Sequence, residues 1–160
     1  MNPLKPRKLY LDTSVIGGYF DEEFKEATQI LWHKRDQGFY QFLTSPLVDR
    51  EVTGAPEHVR QLLADTFTQD AFLRATEEAK ELAVVYMEHK IVPVRYAEDA
   101  LHVAIATVHH IHIIVSWNFK HLVNIHRENA FNGVNMLQGY PATRIISPLE
   151  LRYDNEDETA

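Results

Sequence analysis

The stretch Lys8-Leu9-Tyr10-Leu11-Asp12-Thr13-Ser14, followed by Val15-Ile16-Gly17-Gly18, decides how this chain is read. Three apolar residues without polar alternation describe a strand covered on both faces, and such strands belong to parallel sheets. The strand, residues 8–12, ends on a carboxylate and two hydroxyls. In open parallel sheets ligands collect beyond the carboxyl ends of the strands. Asp12 is therefore placed where chemistry is expected, although Asp-Thr-Ser is also a common way to open a helix.

Working outward, strands alternate with helices. Acids at Asp21, Glu22 and Glu23 open a helix that runs to about residue 37, where Gly38 stops it. Residues 39–43 form a second strand. Ser45 or Thr44 caps the next helix, with Pro46 at its first position. Further helices are expected over 56–67, 71–89 and 97–110, with a short extended piece at 91–94. Residues 113–116 are a buried strand, 119–137 a helix in which Asn132-Gly133 is a candidate break, and 144–146 a last strand. Strand–helix alternation of this kind predicts an α/β fold, a three-layer α/β/α sandwich around a central parallel sheet.

The chain has 160 residues, of which 45% are hydrophobic, enough for one well-buried core. A single domain is expected over residues 1–152, with 153–160 as an acidic, disordered tail. There are no cysteines, which removes disulfides, thiolate metal sites and Cys nucleophiles. No apolar run has the length of a membrane span or a signal peptide, so no membrane association and a cytoplasmic location are expected. The formal charge of −7 argues against a broad nucleic-acid-binding face. Four of those charges, however, sit in the tail at Asp154, Glu156, Asp157 and Glu158, leaving a nearly neutral body.

Four polar residues stand out against apolar surroundings. Asp12 ends the first strand, Glu51 lies in the helix after the second, Asp99 opens the Ala-rich helix, and Asn118 follows the strand 113–116. Three carboxylates and an amide suit a hard divalent cation such as Mg²⁺ or Mn²⁺, with Asp12, Glu51 and Asp99 as ligands. Such an ion activates water and neutralises phosphoryl charge, which is most of what phosphodiester hydrolysis requires. Taken singly, each has a plainer reading: Glu51 a solvated helix residue, Asp99 a helix-start acid, Asn118 a cap.

As an ordered set these residues resemble the PIN-domain family of small metal-dependent ribonucleases. The likeness lies in Leu9 through Ile16, Ser45 through Glu51, Glu98 through Ala106 and Val115 through Leu122, and covers roughly residues 8–150. It implies a PIN-like fold and a Mg²⁺- or Mn²⁺-dependent endoribonuclease acting on RNA, with Asp12, Glu51, Asp99 and Asn118 as catalytic residues. It further implies the toxin of a toxin–antitoxin pair, with an antitoxin protein and a homodimer as partners. Many members carry Asp where this chain has Asn118; an amide accepts through oxygen but brings no charge.

Secondary positions are Ser14, His102, Lys120 and His121. Ser14 is either a partner of a metal-bound water or phosphate, or a helix-start hydroxyl. His102 follows Asp99 by one turn and meets Asp99, meets substrate, or is a satisfied buried histidine. Lys120 and His121 flank the site, to meet phosphates or to lie on a solvated loop. His109, His110 and His112 straddle a helix end and a strand start, so they read as structural. Trp117 and Phe119 read as core packing, with base stacking as the functional alternative. Two other functions compete: a catalytically weak or inactive PIN-like binding module, because of Asn118, and a phosphatase using Asp12 as nucleophile. The second lacks the acid two residues further on, where Ser14 stands.

Overall fold

A computed structural model describes residues 5–154. Most of the acidic run, from residue 155 onward, and the first four residues of the Pro-rich lead-in lie outside the described residues. Four strands, β1 (Arg7–Leu11), β2 (Tyr40–Leu43), β3 (Ile113–Val115) and β4 (Arg144–Ile146), form one sheet. Its order is β2-β1-β3-β4, and every neighbouring pair is parallel. Eight α-helices accompany them among the described residues: α1 (Thr13–Gly18), α2 (Lys25–Asp36), α3 (Pro46–Glu51), α4 (Glu57–Thr66), α5 (Glu77–Glu88), α6 (Ala97–Val108), α7 (Ile125–Leu137) and α8 (Pro148–Leu151).

Side chains alternate along each strand and so feed two cores. Tyr10, Leu43, Ile114 and Ile145 point to the face covered by α5, α6 and α7, where Tyr86, Val103, Ile105 and Phe131 meet them. Leu9, Leu11, Phe42, Val115 and Ile146 point to the other face, toward Val15, Ile16, Leu31 and Trp32 of α1 and α2. Each fully buried aliphatic or aromatic side chain contributes about 1.5–3 kcal/mol relative to exposure. Helices on both faces explain why β1 needs no polar residue after Lys8, and they are compatible with three layers. No helix among the described residues is long and apolar enough to cross a membrane.

Three segments differ from the expectations. The helix expected from residue 71 begins at Glu77, capped by the Thr76 hydroxyl, which accepts from Ala79 N at 3.1 Å. Residues 71–73 instead pair with Thr44 just past β2: Thr44 N donates to Ala71 O and Leu73 N to Thr44 O. An edge partner supplied by the fold outweighs local helix spacing there. The helix expected from residue 119 begins at Ile125, because Asn124 caps it through Oδ1 and Arg127 N at 2.9 Å; Asn132-Gly133 does not interrupt it. Residues 91–94 are not a strand, and Val94–Tyr96 form a short 3-10 turn. Of the segment expected to be disordered, Tyr153 and Asp154 are described, and Asp154 accepts hydrogen bonds from Lys34 and Tyr40.

The strand order places the site. From β1 the chain crosses to β2 on one side; β3 and β4 lie on the other. The reversal falls between β1 and β3, where a crevice opens beyond the strand ends. Asp12 and Ser116 are the residues that follow those two strands.

Candidate metal-acid site at the sheet edge

Asp12 takes the position before the first turn of α1, yet its carboxylate makes no capping bond. It turns inward, 4% exposed, and accepts one hydroxyl on each oxygen: Ser14 Oγ on Oδ1 and Ser116 Oγ on Oδ2, both at 2.6 Å. Those hydroxyls in turn accept backbone N–H groups just beyond β3, Ser14 from Trp117 at 2.8 Å and Ser116 from Asn118 at 2.9 Å. The carboxylate is therefore locked to the end of the neighbouring strand. Burial holds its pKa above the usual carboxylate range, and the nearby Asp99 charge adds to this; His102 and the two hydroxyls pull it down without cancelling the rise. Ser14 thus serves as the support of Asp12, and Ser116, read in the sequence only as a strand residue, is its twin.

Glu51 ends α3. Its Oε1 accepts from Thr13 Oγ1 at 2.7 Å and from His102 Nε2 at 2.8 Å. His102 is 1% exposed, and its other nitrogen lies 2.6 Å from the Tyr10 hydroxyl, which lies 2.8 Å from Ser45 Oγ. A carboxylate only accepts, so the network assigns the hydrogen to Nε2; in the neutral ring Nδ1 then accepts from Tyr10. Burial lifts Glu51, but the hydrogen bond and charge of His102, the Thr13 bond and the Arg50 charge outweigh it, so its pKa lies below the usual range. Burial pushes the Tyr10 phenol far upward, and the charges of Asp12 and Glu51 add to that, which keeps it a donor. Of the expected roles for His102, the satisfied buried histidine holds, with Glu51 rather than Asp99 as its partner.

Asp99 lies in the first turn of α6. Its Oδ2 accepts Asn118 Nδ2 at 3.2 Å and stands 3.1 Å from His121 Nδ1. Asn118 also accepts His121 N through Oδ1 at 3.0 Å, shaping the turn after β3. His121 is buried against Tyr96, and its Nε2 has no hydrogen-bond partner among the described residues. Arg50 pairs with Glu98 at 2.9 Å, tying α3 to α6 at the rim. Lys120 is exposed on the same turn as His121.

Asp12, Glu51, Asp99 and Asn118 are thus brought to one end of the sheet, each with its own supports. Among the described residues, no three His, Asp or Glu side chains form a group arranged to hold a metal ion. The sequence reading missed Thr13, Tyr10, Ser45 and Ser116. The visible signal was a hydroxyl residue directly after three of the four strands, at Thr44-Ser45, Ser116 and Ser147. Trp117 is core, stacked on Phe24 with ring centroids 4.2 Å apart and donating Nε1 to Thr28 at 2.9 Å. Phe119 is not: it is 45% exposed. His109 bonds the Arg74 carbonyl at 2.9 Å, while His110 and His112 line a cavity elsewhere, at the opposite end of the strands. No family model matches the chain, and no curated protein matches it.

Proposed function

We propose that this chain is a PIN-like, three-layer α/β/α endoribonuclease that uses Mg²⁺ or Mn²⁺ to hydrolyse RNA phosphodiester bonds. The observation that carries the reading is the buried Asp12 carboxylate, fixed on both oxygens at the switch point of a parallel sheet, with Glu51, Asp99 and Asn118 gathered round the same edge. Oxygen-only donors are what a hard cation prefers, and the reading rests on that ligand chemistry, since the three carboxylates are not arranged as a metal-binding group among the described residues. Asp12, Glu51 and Asp99 would hold it through oxygen, and the burial and Asp99 charge that raise the Asp12 pKa are what a cation relieves. When bound, such an ion neutralises carboxylate charge and makes a water more acidic.

The protein's own groups supply order. Ser14 and Ser116 aim Asp12; Thr13 and His102 aim Glu51; Asn118 and His121 aim Asp99. Lys120, exposed on the turn next to His121, is the basic side chain to meet a phosphate. By the same resemblance the chain is a cytoplasmic toxin, countered by an antitoxin protein and paired as a homodimer.

The test is cleavage of a panel of structured and single-stranded RNAs by purified protein with Mg²⁺, Mn²⁺ or EDTA, beside Asp12→Asn. Cutting that needs metal and disappears in the variant supports the reading. Cutting that persists in Asp12→Asn overturns it. A folded protein that cuts nothing and binds Mn²⁺ no better than the variant is the inactive binding module instead.

A further inference from the structure

The turn between Asn118 and Asn124 carries two unlike residues side by side. Phe119 lies toward α2, its ring 6.0 Å from Trp117 and 6.4 Å from Phe24 between centroids. Those two rings are stacked on each other and fixed: Trp117 lies against Gly18, where an added Cβ would come within 2.7 Å of the indole. Phe119 is thus an exposed aromatic face on a rigid backing, one residue from Asn118. An apolar ring gains nothing from water there, and the core it touches is already closed by Trp117.

Lys120 lies on the other side. It lines a cavity of about 440 Å³ with Lys90, His126 and Arg127, between the end of α5 and the start of α7. No acid lines this cavity among the described residues, although acids outnumber bases in the chain, 23 Asp and Glu against 16 Lys and Arg. The first turn of α7 borders it, which adds the positive end of a helix. The turn is preorganised: Asn124 Nδ2 donates to the carbonyls of Phe119 and Lys120 at 2.8 and 3.1 Å, and Arg127 donates to the Ile91 carbonyl. An exposed aromatic platform and a basic hollow roomy enough for backbone phosphates therefore share one short, rigid turn that begins at Asn118.

Resting on the ribonuclease reading, we infer that this turn is a subsite for single-stranded RNA, with Phe119 stacking an unpaired base and Lys120, Lys90, His126 and Arg127 holding the adjoining backbone phosphates. Stacking needs an open base face, which a duplex does not present along its length. The site therefore selects single strands, loops or ends.

The experiment is fluorescence anisotropy of the wild-type chain in EDTA, with a short labelled single-stranded RNA and the duplex of the same sequence, over a range of KCl. The single strand should bind more tightly than the duplex. Phe119→Leu, which keeps apolar contact with Phe24 and Trp117, should weaken single-strand binding roughly tenfold, and Phe119→Trp should retain it. Lys90→Ala/Lys120→Ala should shallow the plot of log K against log[salt] by about 1.4, about 0.7 for each phosphate no longer neutralised. Equal binding of duplex and single strand, an unchanged affinity in Phe119→Leu, or an unchanged slope in the double variant overturns the inference. If metal-dependent, Asp12-dependent cleavage is present while those variants bind normally, the subsite alone is wrong. If the wild type neither binds nor cuts RNA, both readings fall.

Discussion

Removing one oxygen atom tests the support of Glu51 directly. Tyr10→Phe keeps the ring in a fully buried position, so packing is retained and no large cavity opens. What is lost is the link between Ser45 Oγ and His102 Nδ1. His102 is itself buried, so its Nδ1 is left without a partner or water, at a cost of about 1–3 kcal/mol. Ser45 still accepts from Leu47 N at 3.3 Å, so its loss is nearer that of an ordinary hydrogen bond, about 1 kcal/mol. The two together amount to about 2–4 kcal/mol, or a melting temperature lower by roughly 4–16 °C in a domain of this size. Urea unfolding at neutral pH in EDTA reads this as a shift in midpoint with an unchanged slope. The same substitution made in a His102→Leu background should cost only about 1 kcal/mol, since the stranded nitrogen is no longer there. A cost below about 0.5 kcal/mol, or equal costs in the two backgrounds, refutes the chain Ser45–Tyr10–His102–Glu51 as a coupled unit.

Stability should depend on pH with opposite signs at the two acids. Asp12 has a raised folded pKa, so its contribution favours folding below the unfolded value of about 3.9 and declines as pH rises through the folded value; Asp12→Asn should flatten that decline in metal-free urea titrations. Glu51 has a lowered folded pKa, so its contribution is present above about 4.3 and is lost as pH falls through the folded value, a loss that Glu51→Gln should remove in the same titrations. Asn118→Asp replaces the Nδ2 donor to Asp99 by a second carboxylate; it should lower the melting temperature in EDTA, and Mn²⁺ should recover more of the loss than it adds to the wild type. Gly18→Ala should destabilise by about 1–3 kcal/mol, because its Cβ would meet the Trp117 indole, whereas Gly17→Ala, with open space and helical backbone, should stabilise by about 0.5–1 kcal/mol; thermal melts separate the two.

The places where pattern succeeded share a property. Asp12 was legible because the short apolar run before it suits a two-faced strand, and the residue after such a strand sits at the sheet edge. The position of Asn118 was legible for a related local reason, as a strand end, and Asp99 as a helix-start acid, but that its helix starts at the sheet edge was not. His102 was legible as a satisfied buried histidine, but its partners were not. Helical spacing pointed it at Asp99 three residues earlier, and instead its ring spans from Tyr10 on β1 to Glu51 at the end of α3. Helical spacing constrains neighbours on one helix only; it carries no information about which other element packs beside it. The early start expected for α5 failed similarly, since residues 71–73 have apolar spacing that suits a helix and a backbone that pairs with Thr44 at the sheet edge.

By itself, then, the sequence determined what periodicity and local chemistry control. These are the alternation of strands and helices, a hydroxyl cap at Thr44 or Ser45, the stop at Gly38, and the acids at element boundaries. The tertiary structure alone decided what depends on contacts between distant segments. The strand order β2-β1-β3-β4 set the crevice between β1 and β3. It brought Ser116 to Asp12 and His121 to Asp99, buried Trp117, and left Phe119 facing outward. The physical reason is range: hydrophobic period and capping act within a few residues, whereas the partners of a buried polar group are chosen by which elements the closing of the two cores forces together.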